Sequence, residues 1–134
     1  LQVRNEQDDM AYPLSSAIFR NCIIAGSGTD EINGGRSKNE GIAFNYYFSH
    51  CLINSVKEEN DKIVNVIWEK DDNFSLMDSR TQEYSFNLNE KSKATNLGKQ
   101  EDAIAYPTDR NGNSRLRDAA PDAGCYESMI LPSH

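Results

Sequence analysis

Short apolar runs, separated by polar residues and glycine, dominate the hydrophobic pattern of this chain. The run at residues 17–24 aligns without a gap with the run at residues 46–53, at an offset of 29 residues. Each run alternates at the period of a strand, is interrupted by one polar residue, and then resumes. We therefore predict a bend at Asn21 and another at His50, with a short strand on either side of each bend.

Parallel stacking of the two runs would place similar side chains above one another. The predicted core ladder pairs Phe19 with Phe48, Cys22 with Cys51 and Ile24 with Ile53, while Ile23 aligns with Leu52 in the repeat. A single coil cannot bury its apolar face, so stacked neighbours must share one core. An antiparallel hairpin is the alternative, but it needs a tight turn, whereas residues 25–45 form a long glycine-containing connection. The pattern favours an all-β solenoid.

Two more segments, at residues 64–68 and 84–88, are predicted to form strands at further coil edges. The charged run at residues 57–62 lacks an apolar partner at helical spacing and is predicted to be a solvated loop. No amphipathic helix is predicted. We interpret the 134 residues as one domain, with stacked coils over residues 17–88 and a capping segment over residues 89–134.

Charge and composition argue against two kinds of interaction, with nucleic acid and with a membrane. The formal net charge is −7 and the basic residues are scattered, so nucleic-acid binding is not expected. No apolar stretch approaches the roughly 18 residues of a membrane span, and no membrane insertion by this chain is predicted. The odd count of three cysteines gives no disulfide framework. Stacked Cys22 and Cys51 are either bonded or, as we favour, free thiols, and Cys125 has no obvious partner.

The tail carries the most specific motif. It reads D-x-x-G-x-x-R at residues 109–115 and P-D-x-G-C-Y-E at residues 121–127. With the repeat, this resembles the C-terminal region of bacterial secreted and surface proteins that form right-handed parallel β-helices with a choice-of-anchor type ending. Cys125 stands where that family has Ala. The resemblance implies a pectate-lyase-like solenoid, further coils upstream in the parent protein, and an extracellular or cell-surface location.

The tail residues are predicted to cap the coils. The capping motif comprises Asp109, Gly112, Arg115, Asp122, Gly124, Tyr126 and Glu127. Both glycines suit turns that need a positive φ. Pairing of Asp109 with Arg115, or of Asp122 with Arg117, would tie the last segment across the open end of the stack, which must be covered. Contact with a ligand or metal is the alternative.

No catalytic constellation is recognised, and no metal ligand is assigned. His50 belongs to a bend and His134 is the last residue, so Cys125 has no neighbour predicted to activate it as a nucleophile. Calcium is the one cofactor considered, because acidic residues are its preferred ligands. The candidates are the pairs Asp8 with Asp9, Asp71 with Asp72, and Asp118 with Asp122. Surface solvation is the default interpretation, since none has the spacing of a calcium loop.

The leading functional hypothesis is a non-catalytic structural and capping module of an exported surface protein, with binding to a polysaccharide or host-surface glycan. Tyr47 and Trp68 are the predicted contacts, because aromatic rings present a large apolar face with a polar edge. One alternative is part of a polysaccharide lyase or glycoside hydrolase, with Lys70, Asp71 and Asp72 as the nearest approach to its chemistry. The other is an adhesive element that self-associates through exposed coil edges.

Overall fold

The computed structural model describes residues 1–26, 28, 30–70 and 72–128. Across these ranges the chain is mostly β, with several small sheets, none of them closed, and little helix. The elements in chain order are β1 (Gln2–Arg4), β2 (Glu6–Gln7), β3 (Met10–Ala11), β4 (Leu14–Arg20), β5 (Ile23–Ile24), β6 (Asn33–Gly35), β7 (Phe44–Ser49), β8 (Leu52–Ile53), β9 (Ile63–Val64), β10 (Ile67–Trp68), β11 (Phe74–Asp78), β12 (Glu83–Leu88) and α1 (Gln100–Ala105).

Three of the sheets are parallel and are built by successive passes of the chain. The first pass contains β1, β4 and β5, the second contains β6, β7 and β8, and the third contains β9 and β10. The sheet orders are β1-β6, β4-β7-β9 and β5-β8-β10. The register pairs Phe19 with Phe48, and Ile24 with Ile53. The parallel pairing of the two aligned runs, predicted from the repeat, is therefore confirmed.

In each pass, a single residue with left-handed backbone conformation makes the bend between the strand of the β4-β7-β9 sheet and the strand of the β5-β8-β10 sheet. These residues are Asn21 (φ 53°), His50 (φ 55°) and Asn65 (φ 52°). Asn is among the few non-glycine residues enriched in this conformation, and His shares the tendency. The bends at Asn21 and His50 were predicted, whereas the bend at Asn65 was not. Residues 63–68 are a third, shorter repeat at an offset of 15 residues from the second.

Two hydrophobic clusters lie on opposite faces of the β5-β8-β10 sheet, because adjacent residues of a strand point to opposite sides. Ile53 belongs to the first cluster and Leu52 to the second, and both are fully buried. The first cluster also holds the stacked rings of Phe19 and Phe48, whose centroids lie 4.8 Å apart. The second cluster joins this sheet to the tail of the chain. The β5-β8-β10 sheet is therefore packed on both faces.

The prediction that residues 84–88 form another coil edge is wrong. β12 instead pairs antiparallel with β11, with Met77 opposite Tyr84. Only four residues connect these strands, and parallel strands need a much longer crossover. The Asp78 side chain accepts a hydrogen bond from the backbone N–H of Arg80 at 2.9 Å, which stabilises the turn. The parallel strands of the described residues lie between residues 2 and 68.

One short helix, α1, was not predicted from the sequence. α1 is six residues long and buries a single residue, Ala103. Glu101 and Asp102 occupy its first turn, where carboxylates interact favourably with the helix dipole. A helix of six residues is too short for its hydrophobic periodicity to be recognised in the sequence.

Candidate functional site

A cavity of about 320 Å³ opens beside β6, where the third pass is shorter than the others. The register connects Ile24 to Ile53 and then Ile53 to Trp68, so the third pass spans 15 residues instead of 29. Residues 54–62 form no strand, and among the described residues no third strand extends the β1-β6 sheet. The interior that such a strand would cover is left open. We call this cavity the aromatic groove.

One side of the aromatic groove consists of aromatic rings. Phe44 and Tyr46 lie 5.4 Å apart between ring centroids, and Trp68 lines the same space. The Lys62 ammonium sits 5.0 Å from the centroid of the Tyr46 ring and donates to the carbonyl oxygen of Phe44 at 3.0 Å. Asn60 donates to the Tyr46 hydroxyl at 3.1 Å. These contacts fix the orientation of the Tyr46 ring.

The solvent side of the aromatic groove carries oxygen atoms and negative charge. Asp30 and Glu58 are exposed residues of the lining, and Ser55 donates a hydrogen bond to the Asp30 carboxylate. Carboxylate and hydroxyl oxygens beside apolar rings are the combination of groups expected in a small-molecule pocket, in which a few polar groups orient a ligand on an apolar surface. The groove therefore combines apolar stacking surface with hydrogen-bond acceptors.

The structure separates the two aromatic residues that were predicted to bind glycans. Trp68 lines the aromatic groove, but Tyr47 does not. Tyr47 lies opposite Ile18 in the register and near Lys99, whose pKa it helps to raise after the larger effects of Glu101 and Asp102. Its neighbour Tyr46 is the residue in the groove. The alternation that aligned Tyr46 with inward-facing Ala17 was the signal that could have identified it.

Two of the three residues considered for lyase chemistry, Lys70 and Asp72, lie in the described part of the chain. Asp71 lies outside the described residues. Asp72 accepts a hydrogen bond from the backbone N–H of Phe74 at 3.2 Å, as side chains do in turns, and Lys70 is exposed.

The capping motif forms a hydrogen-bonded network around Asp109. Its carboxylate accepts backbone N–H groups from Asn111, Asn113 and Glu127, each at 2.8 Å. Burial alone raises the pKa of Asp109, but the hydrogen bonds from Glu127 and Asn113 outweigh it and hold the pKa below its ordinary value. Asp109 thus acts as a charged acceptor that joins its own loop to the backbone at Glu127.

Arg115 pairs with Glu127 rather than with Asp109, which corrects the predicted partner. The Nη1–Oε1 distance is 2.6 Å, and Arg115 also donates to the carbonyl oxygen of Gly124 at 3.0 Å. Burial raises the pKa of Glu127, and the nearby Asp122 carboxylate adds to that effect, while Arg115 opposes it. Arg117 donates to the carbonyl oxygen of Ser128. The motif is held together by buried polar contacts.

The remaining motif residues form the turns of this network. Asp122 accepts the backbone N–H groups of Asn96, at 2.7 Å, and of Ser128. Gly112 (φ 84°) and Gly124 (φ 99°) have the positive φ that their turns were predicted to need. Tyr126 is half-buried beside Glu127. All seven residues of the capping motif therefore lie in one compact part of the tail.

The tail lies along the side of the strand stack, in contact with successive passes. Lys93 pairs with Glu69, just after β10, at 2.8 Å. Lys99 donates its backbone N–H to the Asn21 side chain at 2.9 Å, and Gly124 donates to the Asn21 carbonyl oxygen at 2.8 Å. The second hydrophobic cluster contacts all three passes between these points. The tail therefore packs against one strand from each of the three passes.

The described residues contain no group of three or more His, Cys, Asp or Glu side chains that could hold a metal ion. No helix in the described ranges is long and apolar enough to cross a membrane. Cys22, Cys51 and Cys125 are free thiols. Comparison of the chain with protein-family models, with curated proteins and with solved structures finds no match.

Proposed function

We propose that this chain is a structural, glycan-binding module made of coils of a right-handed parallel β-helix. Three parallel sheets filled by successive passes are what such coils require, and parallel crossovers are right-handed in about 98% of cases. The bends at Asn21, His50 and Asn65 are in register, as expected for repeated coil corners. The tail motif, which resembles the ending of bacterial surface β-helix proteins, supports an exported parent protein with further coils.

The aromatic groove is the observation that carries the binding function. Tyr46 and Trp68 supply apolar rings, while Asp30 and Glu58 supply acceptors for sugar hydroxyl groups. Lys62 is engaged with Phe44 and Tyr46. Its single positive charge is outnumbered by the carboxylates of Asp30 and Glu58, so the net charge at the groove is negative and opposes a uronate. The groove favours a neutral glycan over an acidic one.

Trp68 provides a direct measurement, because it is the chain's single tryptophan and lines the groove. Its fluorescence should change saturably on titration with a neutral β-1,4-linked glucose hexasaccharide. A galacturonate hexasaccharide should bind at least tenfold more weakly, and Glu58→Gln should narrow that difference. Tyr47→Ala is the matched control and should leave binding unchanged, since Tyr47 lies outside the groove. No saturable signal with either sugar would refute the proposal.

Glycan hydrolysis is a second candidate function, favoured by the two carboxylates on one groove. Glycosidases use a pair of carboxyl groups, one as acid and one as base or nucleophile. An assay for new reducing ends, on the same incubations, separates cleavage from binding. Cleavage that is lost in Glu58→Gln while binding persists would establish a hydrolase. Binding without product would establish a binding module.

A further inference from the structure

Cys22 and Cys51 occupy equivalent positions, immediately before the paired strands β5 and β8. The backbone N–H of Leu52 donates to the carbonyl oxygen of Cys22 at 2.9 Å, so the two chain segments are direct neighbours. Neighbouring strands lie about 4.7–4.9 Å apart. That spacing falls within the Cα separation of about 4.4–6.8 Å at which a disulfide forms. The backbone geometry therefore permits a covalent bond between the first and second passes.

Both sulfur atoms lie against the same stretch of backbone at the end of β4. Cys22 Sγ donates to the carbonyl oxygen of Arg20 at 3.1 Å. Cys51 Sγ lies 3.5 Å from the carbonyl oxygen of Phe19, the residue before Arg20. The neighbouring Cys51 thiol lowers the pKa of Cys22 to about 7, against the opposing effect of burial. The Cys22 thiol and burial raise the pKa of Cys51. The pair is chemically asymmetric.

The two thiols also differ in solvent exposure, and Cys22 is the more accessible. Cys22 is half-buried and lines a second groove of about 480 Å³, together with Arg20, Asp102 and Cys125. Cys51 is fully buried. A small oxidant that enters this second groove therefore reaches Cys22 before Cys51. Oxidation of cysteine follows thiolate character and exposure, and both select Cys22 over Cys51.

We propose that Cys22 and Cys51 form a peroxide-sensitive dithiol that reversibly staples the first two passes of the stack. The Cys22 thiolate attacks one oxygen of hydrogen peroxide. An S–O bond forms, the O–O bond breaks, and hydroxide leaves, so the sulfur is oxidised to sulfenic acid and the peroxide is reduced. The Cys51 sulfur then attacks the Cys22 sulfur. An S–S bond forms, the S–O bond breaks, and the thiol proton leaves with the hydroxyl group as water.

Peptide mapping of the complete chain after hydrogen peroxide treatment tests this proposal. The expected product is an intramolecular disulfide between Cys22 and Cys51, with an intact mass lower by two hydrogen atoms, and with thiols restored by dithiothreitol. Cys125 is the competing partner, because it is exposed and lines the same groove. Cys125→Ser is therefore the matched control, and it should oxidise at an unchanged rate.

Cys51→Ser removes the resolving thiol and should leave a sulfenic acid on Cys22 that dimedone traps. A disulfide that includes Cys125, an intermolecular disulfide, or absence of reaction at Cys22 would each overturn the proposal. Mapping of the unsubstituted chain decides the question even where a variant fails to fold.

Discussion

Arg115 and Glu127 form a 2.6 Å ion pair in which the glutamate side chain is only 2% exposed. Removing the arginine would leave a carboxylate that is buried and deprived of its counter-charge, which is costlier than losing an exposed pair. The same guanidinium donates to backbone carbonyl oxygens of Asp122 and Gly124. The pair therefore holds the tail network closed.

Arg115→Ala should lower the free energy of unfolding by about 3–5 kcal/mol, as measured by urea denaturation. The matched control is Arg20→Ala. Arg20 lies 3.6 Å from Asp102 and its side chain is 53% exposed, so its loss should cost less than about 1 kcal/mol. Equal effects of the two substitutions would show that the tail network does not stabilise the fold.

The left-handed bend at His50 should accept asparagine. Asn21 and Asn65 occupy the equivalent bends, so His50→Asn preserves the backbone preference and should change stability by less than about 1 kcal/mol. His50→Val places a β-branched residue at φ 55° and should cost about 1–3 kcal/mol. Thermal unfolding of the two variants checks this, and the bend is misassigned if valine is tolerated as well as asparagine.

Stability below pH 4 should depend on Asp109. Its pKa is lowered in the folded protein, so the stabilisation is present above the ordinary value of 3.8 and is lost as pH falls through the lower folded value. Asp109→Asn should reduce stability at neutral pH and flatten the acid dependence. Urea midpoints measured from pH 7 downwards test this. An unchanged slope in the variant would contradict the role of Asp109 as a charged acceptor.

Gly34 and Gly35 offer a matched test of the β1-β6 sheet. A Cβ atom on Gly34 would overlap the backbone carbonyl of Val3, whereas one on Gly35 would meet nothing within 4 Å. Gly34→Ala should therefore destabilise the protein by about 1–3 kcal/mol, and Gly35→Ala should be nearly neutral. Chemical denaturation distinguishes them. A neutral Gly34→Ala would mean that β1 and β6 do not approach this closely.

The sequence predicted the first two passes because Phe19 and Phe48 lie at the same place in two runs of similar residues. The third pass was harder to recognise because it is half as long and places Val66 where the others have cysteine. β6 was missed because Gly34 and Gly35 are typical of turns, while the structure uses Gly34 for close contact between backbones. Such contact has no signature in the hydrophobic pattern.

The candidate sites were also predicted only in part. Trp68 was identified by residue type, but Tyr47 was preferred to Tyr46 although the strand period places Tyr46 on the inner side. The partner of Arg115 could not be inferred, since Glu127 and Asp109 are both acidic and only the path of the tail decides between them. The antiparallel hairpin could have been predicted from its short connection.

Parallel stacking of three passes is the central claim, and backbone nuclear Overhauser effects in the isotopically labelled chain test it most directly. Phe48 should show the interstrand N–H to Hα contacts of parallel pairing with Phe19 on one side and with Ile63 on the other. Strong Hα–Hα contacts between β4 and β7, which mark antiparallel pairing, would contradict the account. So would the absence of any contact between Phe48 and Ile63.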